Sequence, residues 1–419
     1  MRQLKYAIDS IIRKPIKMFF VIVQVVIATI VLCNAISITL KTVDTVKGAT
    51  NLYSNKNMYR LMDTTSISKS DKIQDDEFLE KKQYELYKFF SNNEKFKIYA
   101  QCGTNLMIKD FCDDDKFCYD ISNKYIINPY KNINGKFTSV NGFYIDYEYN
   151  KQNKLVTEKG RGFKKEDFIP SDEMSVILGA GYEGIYDVGD EFNYFDFFNL
   201  KEKKIKVVGI LKENTYAFDG GQIGCIDDNV ICPMETISEE YKNVSSMFPW
   251  WLSQAIVETG NSKDTIKKIN EKSLELDLYN FKLSSCQEEI KNNIKELQKS
   301  SVLAILISVV IFLFISIGMI NVQLNMIDEK RTEYGVHLLS GAQKRDIIIC
   351  NYITISLYFF IGMVIGWYLY TFNLLESCDI RIFIFTFILY IMIIILVSVI
   401  PSGKIKKMQV NNLIRDLSE

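Results

Sequence analysis

The side chains best suited to chemistry are few and scattered. A single histidine, His337, stands in 419 residues. That excludes a multi-histidine metal site and histidine-based acid–base pairs, and an HExxH zinc motif cannot be written. Neither GxxxxGK[ST] nor GxSxG occurs, so the chain holds no phosphate-cradling P-loop and no serine nucleophile elbow. Asp113, Asp114 and Asp115 could draw a cation, but three consecutive acids lack the alternation and the glycine of a calcium loop and read as a solvated turn. Nine cysteines include no CxxC pair, which argues against a zinc ribbon or a thioredoxin-like motif. Cys112 with Cys118, and Cys225 with Cys232, are close enough in sequence to form disulfides in an exported domain; free buried thiols are the alternative.

One stretch reads as purposeful. In EKRTEYGVHLLSGAQKRDI, Val336, Leu338 and Leu339 are apolar, Gly335 and Gly341 interrupt them, and the pairs Lys330-Arg331 and Lys344-Arg345 flank them. A short helix with an apolar tip suits docking into a groove on a soluble partner, as an alternative to tucking against a lipid interface.

The elements around this stretch are apolar runs. Ser301 to Ile327 contains no charged side chain. At a rise of about 1.5 Å per helical residue it crosses the ~30 Å hydrocarbon of a bilayer. Met18 to Leu40, Ile347 to Phe372 and Ile382 to Ile400 are likewise free of Asp, Glu, Lys and Arg. The first is too long for a signal-peptide core and lacks a clear small-residue cleavage site, so it reads as an uncleaved span. Charge-free spans also argue against a conventional secondary transporter, which carries intramembrane charges.

The segment between the first two spans reads as a folded α+β domain. Strand-like pieces are KFKIYAQ, GFYIDYEY, EFNYFDFF, KIKVVGIL and LSQAIVET, rich in Tyr, Phe, Ile and Val and punctuated by Gly, Asn and Asp. The aromatics from Glu191 to Leu200 could form a ligand face, but strand packing explains them more simply. Helical patterns cover 75–90 and 262–274, and two more, 41–51 and 284–300, run into the spans as stalks.

Lys and Arg fix the expected topology. The amino-terminal segment, the loop after the second span and the tail together hold 13 of them, against Arg381 alone in the last hairpin. The positive-inside rule then puts both termini in the cytoplasm. The expected fold class is a multi-pass α-helical membrane protein with four transmembrane helices and a large α+β extracytoplasmic domain between helices 1 and 2. Its boundaries are an amphipathic cytoplasmic segment 1–17, spans 18–40, 301–327, 347–372 and 382–400, the outer domain 41–300, a cytoplasmic loop 328–346, a short outer loop 373–381 and a cytoplasmic tail 401–419. The near-neutral charge balance gives no reason to expect nucleic acid.

The stretch from Glu333 to Ile347, EYGVHLLSGAQKRDI, resembles the E-x-G-(I/V)-x-x-x-x-G-A-x-x-x-D-I signature of FtsX/MacB-type ABC transporter permeases. The tail from Pro401, with Lys404, Lys406 and Lys407 and then Leu413-Ile414-Arg415, is similar to that family's closing motif. In the outer segment, SVILGAGYEGIYDVGDEFNYF and KIKVVGIL are similar to the core run of MacB-like domains.

The resemblance implies a non-catalytic permease subunit in the bacterial plasma membrane, paired with a separate P-loop ABC ATPase and with a second permease copy or paralogue. No cofactor is expected in this chain, because ATP and Mg would be bound by the ATPase. Glu333, Gly335, Val336, Leu338, Leu339, Gly341 and Ala342 would form the ATPase-coupling loop. The helices would convey ATP-driven motion to the outer domain (mechanotransmission), for export or extraction of a hydrophobic or peptide-like substrate such as an antimicrobial peptide, with an extracytoplasmic peptide or accessory protein as a further partner. The alternatives are an FtsX-like regulator of a cell-wall hydrolase and a membrane-anchored receptor with no ATPase. An adjacent gene for a P-loop ATPase separates the last of these from the others.

Overall fold

A computed structural model of the protein describes residues 15–53, 57–111, 114–130, 133–153, 155–219, 222–373 and 379–408. The first fourteen residues, Cys112, Asp113, most of the short loop before Asp379 and the tail from 409 lie outside the described residues. The chain divides into two compact units. Residues up to Thr42 and from Leu297 onward form one, and Val43–Glu296 form the other.

The first unit is helical. Four of its helices are long and apolar enough to cross a membrane, over Pro15–Gly48, Cys286–Glu329, Lys344–Phe372 and Ile380–Lys407. They belong to α1 (Pro15–Tyr53), α7 (Cys286–Glu329), α9 (Lys344–Asn373) and α10 (Ile380–Lys407), with the short α8 (Arg331–Leu339) between α7 and α9. Asp379 starts α10 by accepting the Arg381 N–H at 2.8 Å. Pro401 lies inside α10 and does not end it, so the segment read as the start of a tail continues as helix to Lys407. Ile405, on that extra turn, is buried against Ile327, Tyr334 and Ile347, and this burial offsets the backbone bond that proline removes. The main apolar core of the unit gathers Val21 and Val25 of α1, Met319 of α7, Ile355, Tyr358 and Phe359 of α9, and Tyr390, Ile393 and Val397 of α10. Gly362 and Gly366 let α9 lie close to α1. A Cβ at Gly366 would stand 2.6 Å from that of Thr29.

The second unit is α+β. Its strands are β1 (Met58–Asp63), β2 (Lys97–Lys109), β3 (Tyr125–Ile127), β4 (Lys136–Ile145), β5 (Thr157–Gly160), β6 (Glu173–Leu178), β7 (Glu191–Asp196), β8 (Lys201–Leu211), β9 (Tyr216–Asp219), β10 (Gln222–Cys225), β11 (Val230–Pro233), β12 (Ala255–Glu258) and β13 (Phe281–Ser285). Helices α2 (Ile67–Gln74), α3 (Leu79–Ser91), α4 (Tyr147–Gln152), α5 (Val244–Ser253) and α6 (Ser262–Glu275) are interleaved with them. Each of the five strand-like sequence pieces falls on a strand. GFYIDYEY is strand only as far as Ile145, because Asp146 accepts the Tyr149 N–H at 2.7 Å and caps α4.

The long strand β2 joins two parts of this unit. Its first residues pair with β12, which continues to β1 and β13. Its later residues pair with β7 on one edge and β4 on the other. Through β8, β6 and β11 these pairings close a circuit of six strands. Two of its pairs, β6 with β8 and β11 with β4, are parallel. Alternate side chains fill the circuit: Leu106, Ile108, Val140, Val176, Leu178, Ile205, Val207, Val230 and Cys232. On one side of the open part, α3, α5 and α6 cover the sheet with Leu86, Phe90, Phe248, Trp251 and Ile269.

Candidate functional site

Helix α8 carries five of the seven loop residues singled out from sequence. It is nearly continuous with α7, since the Lys330 N–H donates to the Met326 carbonyl at 3.1 Å and the Tyr334 N–H to that of Lys330 at 2.9 Å. Its far end is closed by a Schellman motif. The Ala342 N–H reaches the His337 carbonyl at 3.0 Å and the Gly341 N–H that of Leu338 at 3.2 Å. That geometry holds Gly341 at φ +94°, a region costly for any residue with a Cβ. Asp346 then opens α9 by accepting the Gln343 N–H at 3.0 Å.

The two faces of α8 differ. Tyr334 is buried in a cluster with Ile327, Ile347 and Ile405, and Leu338, one turn along, packs against the same cluster. Gly335 is buried as well. On the other face Val336 and Leu339 remain 51% and 58% exposed. Leu338 therefore does not belong to the apolar tip read from the sequence. It faces inward, and the tip is formed by Val336 and Leu339, with half-buried Ala342 just beyond the helix. Glu333 lies one turn from His337, with 4.0 Å between Oε1 and Nε2, and this becomes an ion pair only when the imidazole is protonated.

Contacts from α1 and α10 brace the segments that flank this helix. Lys404 of α10 pairs with Asp328 at 2.6 Å, and Lys17 of α1 pairs with Glu329. Lys344 Nζ donates to the Lys406 carbonyl at 3.0 Å. These partly exposed contacts are each worth at most about 1 kcal/mol, so they orient the platform while the apolar cluster holds it. Tyr334, two residues before the singled-out Val336, was the legible signal, as an aromatic at helical spacing from Leu338.

In the α+β unit, Asp146 is buried. Its carboxylate accepts N–H groups from Ala100 (2.8 Å), Tyr149 (2.7 Å) and Trp251 Nε1 (2.8 Å). Burial raises its pKa to about 7, with those three donors pulling the other way. It lies at the edge of a cavity of about 460 Å³ walled by Tyr84, Tyr87, Tyr147, Tyr241 and Trp251. Nearby, Lys203 bridges Asp196 at 2.7 Å and Glu235 at 3.1 Å. Burial opposes ionisation of Asp196, but Lys203 and Asn199 hold its carboxyl below the ordinary range.

Cys225 and Cys232, considered for a disulfide, stand as free thiols. Cys232 is wholly buried within the six-strand circuit, whereas Cys225 is exposed on β10, so the two do not pair. Cys118 is buried, with its Sγ 3.7 Å from the Asp114 carbonyl oxygen, and its suggested partner Cys112 lies outside the described residues. Asp114 caps a 3₁₀ turn by accepting the Lys116 N–H, and Asp115 pairs with Lys124, so both acids have structural partners. No group of three or more His, Cys, Asp or Glu placed to hold a metal occurs among the described residues.

Comparison with known proteins adds the following. No curated protein matches the sequence. The solved periplasmic region of MacB from Actinobacillus actinomycetemcomitans aligns with 61% of this chain and 98% of its own, at 12% identity and a TM-score of 0.33. The extracellular domain of the noncanonic ABC-type transporter YknZ from Gram-positive bacteria aligns with 55% of this chain and 100% of its own, at 14% identity and a TM-score of 0.31. Residues 305–410 match the family described as FtsX-like permease C-terminal, a stretch that takes in α8, both glycines that bound its apolar tip and the whole of α9 and α10. The carboxy-terminal part of this chain is thus similar to the C-terminal domain of FtsX-like permeases.

Proposed function

We propose that this chain is the permease subunit of an ABC transporter in a bacterial plasma membrane, and that α8 is where a separate P-loop ATPase docks. The observation that carries this reading is the two-sided build of α8: Tyr334 and Leu338 are fixed in an apolar platform while Val336 and Leu339 stay in solvent. An exposed apolar pair on a helix with a locked rear face is suited to a groove on a soluble partner. In this reading four spans place both termini in the cytoplasm and the α+β unit outside. ATP and Mg belong to the ATPase, and two permease copies or paralogues face each other. The ATPase moves the platform, and α1 and α7, which contribute residues to both units, pass that motion outward for export or extraction of a hydrophobic or peptide-like substrate.

The test is co-purification of a nucleotide-binding subunit with the detergent-solubilised protein, beside a Gly335→Trp, Leu339→Asp double variant. Wild type is expected to bring down the ATPase and the folded variant is not. If neither brings one down while both remain folded, the ATPase-free receptor replaces this reading.

A further inference from the structure

Three helices of the helical unit repeat one order of side chains. On α7, Ile327 belongs to the apolar platform under α8, Gln323 lies one turn inward, and Met319, a further turn in, belongs to the main apolar core. On α9 the same steps give Ile347, Asn351 and Ile355. On α10, Ile405 of the platform is followed inward by Ser402 and Ser398, with Val397 of the main core beside Ser398. Steps of three or four residues keep each set on one helix face. Gln323, Asn351 and Ser402 therefore fall in one layer, sandwiched between two apolar clusters.

The three are almost completely enclosed, at 1%, 6% and 7% exposure. Gln323 Nε2, Asn351 Nδ2 and Ser402 Oγ nevertheless have no hydrogen-bond partner among the described residues. Elsewhere in the unit the same problem is solved locally. Thr29, Ser308, Thr354 and Ser398 each return their hydroxyl to the carbonyl four residues back, at 2.6 to 2.9 Å. An unmade bond in a low-dielectric interior is costly, so three in one layer would be a heavy penalty.

The chemistry of the layer selects the ligand. Two amide NH2 groups and one hydroxyl present donors, and the layer has no carboxylate, thiolate or imidazole to hold a metal ion. A small neutral molecule that accepts from the amides and donates in turn fits, and water does both. We propose that Gln323, Asn351 and Ser402 form an internal water site, a hydrated polar layer separating the platform under α8 from the main core of the helices. This inference stands apart from the docking of an ATPase.

Radiolytic hydroxyl-radical footprinting of the full-length protein in detergent tests it, because radicals made from a bound water oxidise the side chains beside it. Met319, one turn from Gln323, is the reporter. Met363, also buried in the main core, is the internal control. In wild type, Met319 is expected to be oxidised about five-fold faster than Met363, and Ser402→Ala and Asn351→Leu, made separately, are each expected to cut that excess at least about two-fold. A Met319 rate no higher than that of Met363 in wild type overturns the proposal, and this comparison needs no variant. An excess that neither substitution reduces overturns it too, since the radicals would then come from elsewhere.

Discussion

In the α+β unit, the buried Asp146 collects N–H donors from β2, α4 and α5, segments up to 151 residues apart in the chain. In the helical unit, Thr29, Ser308, Thr354 and Ser398 find their acceptor four residues away on their own helix. The solvent explains the contrast. A chain folding in water can leave a polar group hydrated until tertiary structure supplies a partner. A helix in hydrocarbon must satisfy its backbone before it packs, so these hydroxyls bond locally, Thr29 also meeting Tyr390 of α10 at 2.6 Å, and the packing rests largely on shape. The α+β unit should therefore be fragile to loss of a long-range anchor, and the helical unit to intrusion between closely packed helices.

The largest effect is expected from Trp251→Ala. Trp251 of α5 fills the core beside α3, meets Tyr87 edge to face at 5.2 Å and donates to Asp146. Truncation removes a large buried ring and one donor from an enclosed carboxylate, a loss of about 3–5 kcal/mol. Cys102 lies in the same cluster, so its thiol-labelling rate, resolved by peptide mass spectrometry, is the readout. A rise of about a hundredfold or more is expected; less than about tenfold would mean that this anchor is not what holds the unit.

Asp146 itself gives a pH dependence of opposite sign to that of a salt-bridged acid. Its folded pKa of about 7 lies above the ordinary 3.8, so the folded protein binds more protons between those values. Stability from this group is complete below about pH 4 and is lost as pH rises through 7, a swing on the order of 4 kcal/mol. Urea midpoints followed by tryptophan fluorescence should be higher at pH 5 than at pH 8. A higher midpoint at pH 8 would show that the three N–H donors outweigh burial.

Sequence reading did best where one dimension suffices. Charge-free runs gave the long apolar helices, because the absence of Asp, Glu, Lys and Arg is a local property. The pattern over 262–274 matches α6 to within a residue, and KIKVVGIL falls within β8. Closure of the six-strand circuit was not legible, because β2 and β4 pair across a gap whose length says nothing about register. The α4 turn was missed because Tyr and Glu alternate in DYEY as they would in a strand, while the deciding event is a cap by Asp146. At the candidate site, Gly335 falls within α8 and Gly341 ends it. Which of Leu338 and Leu339 faces inward depends on Ile327 and Ile405, brought there from other helices. Gln323, Asn351 and Ser402 were passed over because single neutral polar residues in an apolar run carry no periodic signal.

Intrusion between helices is the third expectation. A side chain at Gly366 would meet the Thr29 Cβ at 2.6 Å and the Val26 carbonyl at 3.0 Å, and the backbone atom cannot rotate away. Gly366→Leu should push α1 from α9 and cost about 1–3 kcal/mol, read as a lower melting temperature of the solubilised protein. Gly403→Ala, where a Cβ meets nothing within 4 Å, should leave it unchanged. Equal effects at the two positions would remove shape as the governing factor in this unit.

The smallest effect is the most local and bears on the candidate site. Gly341 is held at φ +94° by the two backbone bonds that end α8. Gly341→Ala must either strain that residue or give up the Schellman bonds, at about 1 kcal/mol, while Gly341→Asn, which enters the left-handed region more readily, should cost less. Neither substitution touches the platform, since a Cβ there meets nothing within 4 Å. Amide exchange over residues 331–342 should accelerate about five-fold in Gly341→Ala and less in Gly341→Asn. If both accelerate alike, the added side chain and not the backbone angle is responsible. If neither does, α8 is stopped by its packing on Tyr334 and Leu338 alone, and its apolar tip is fixed from the rear and not from its end.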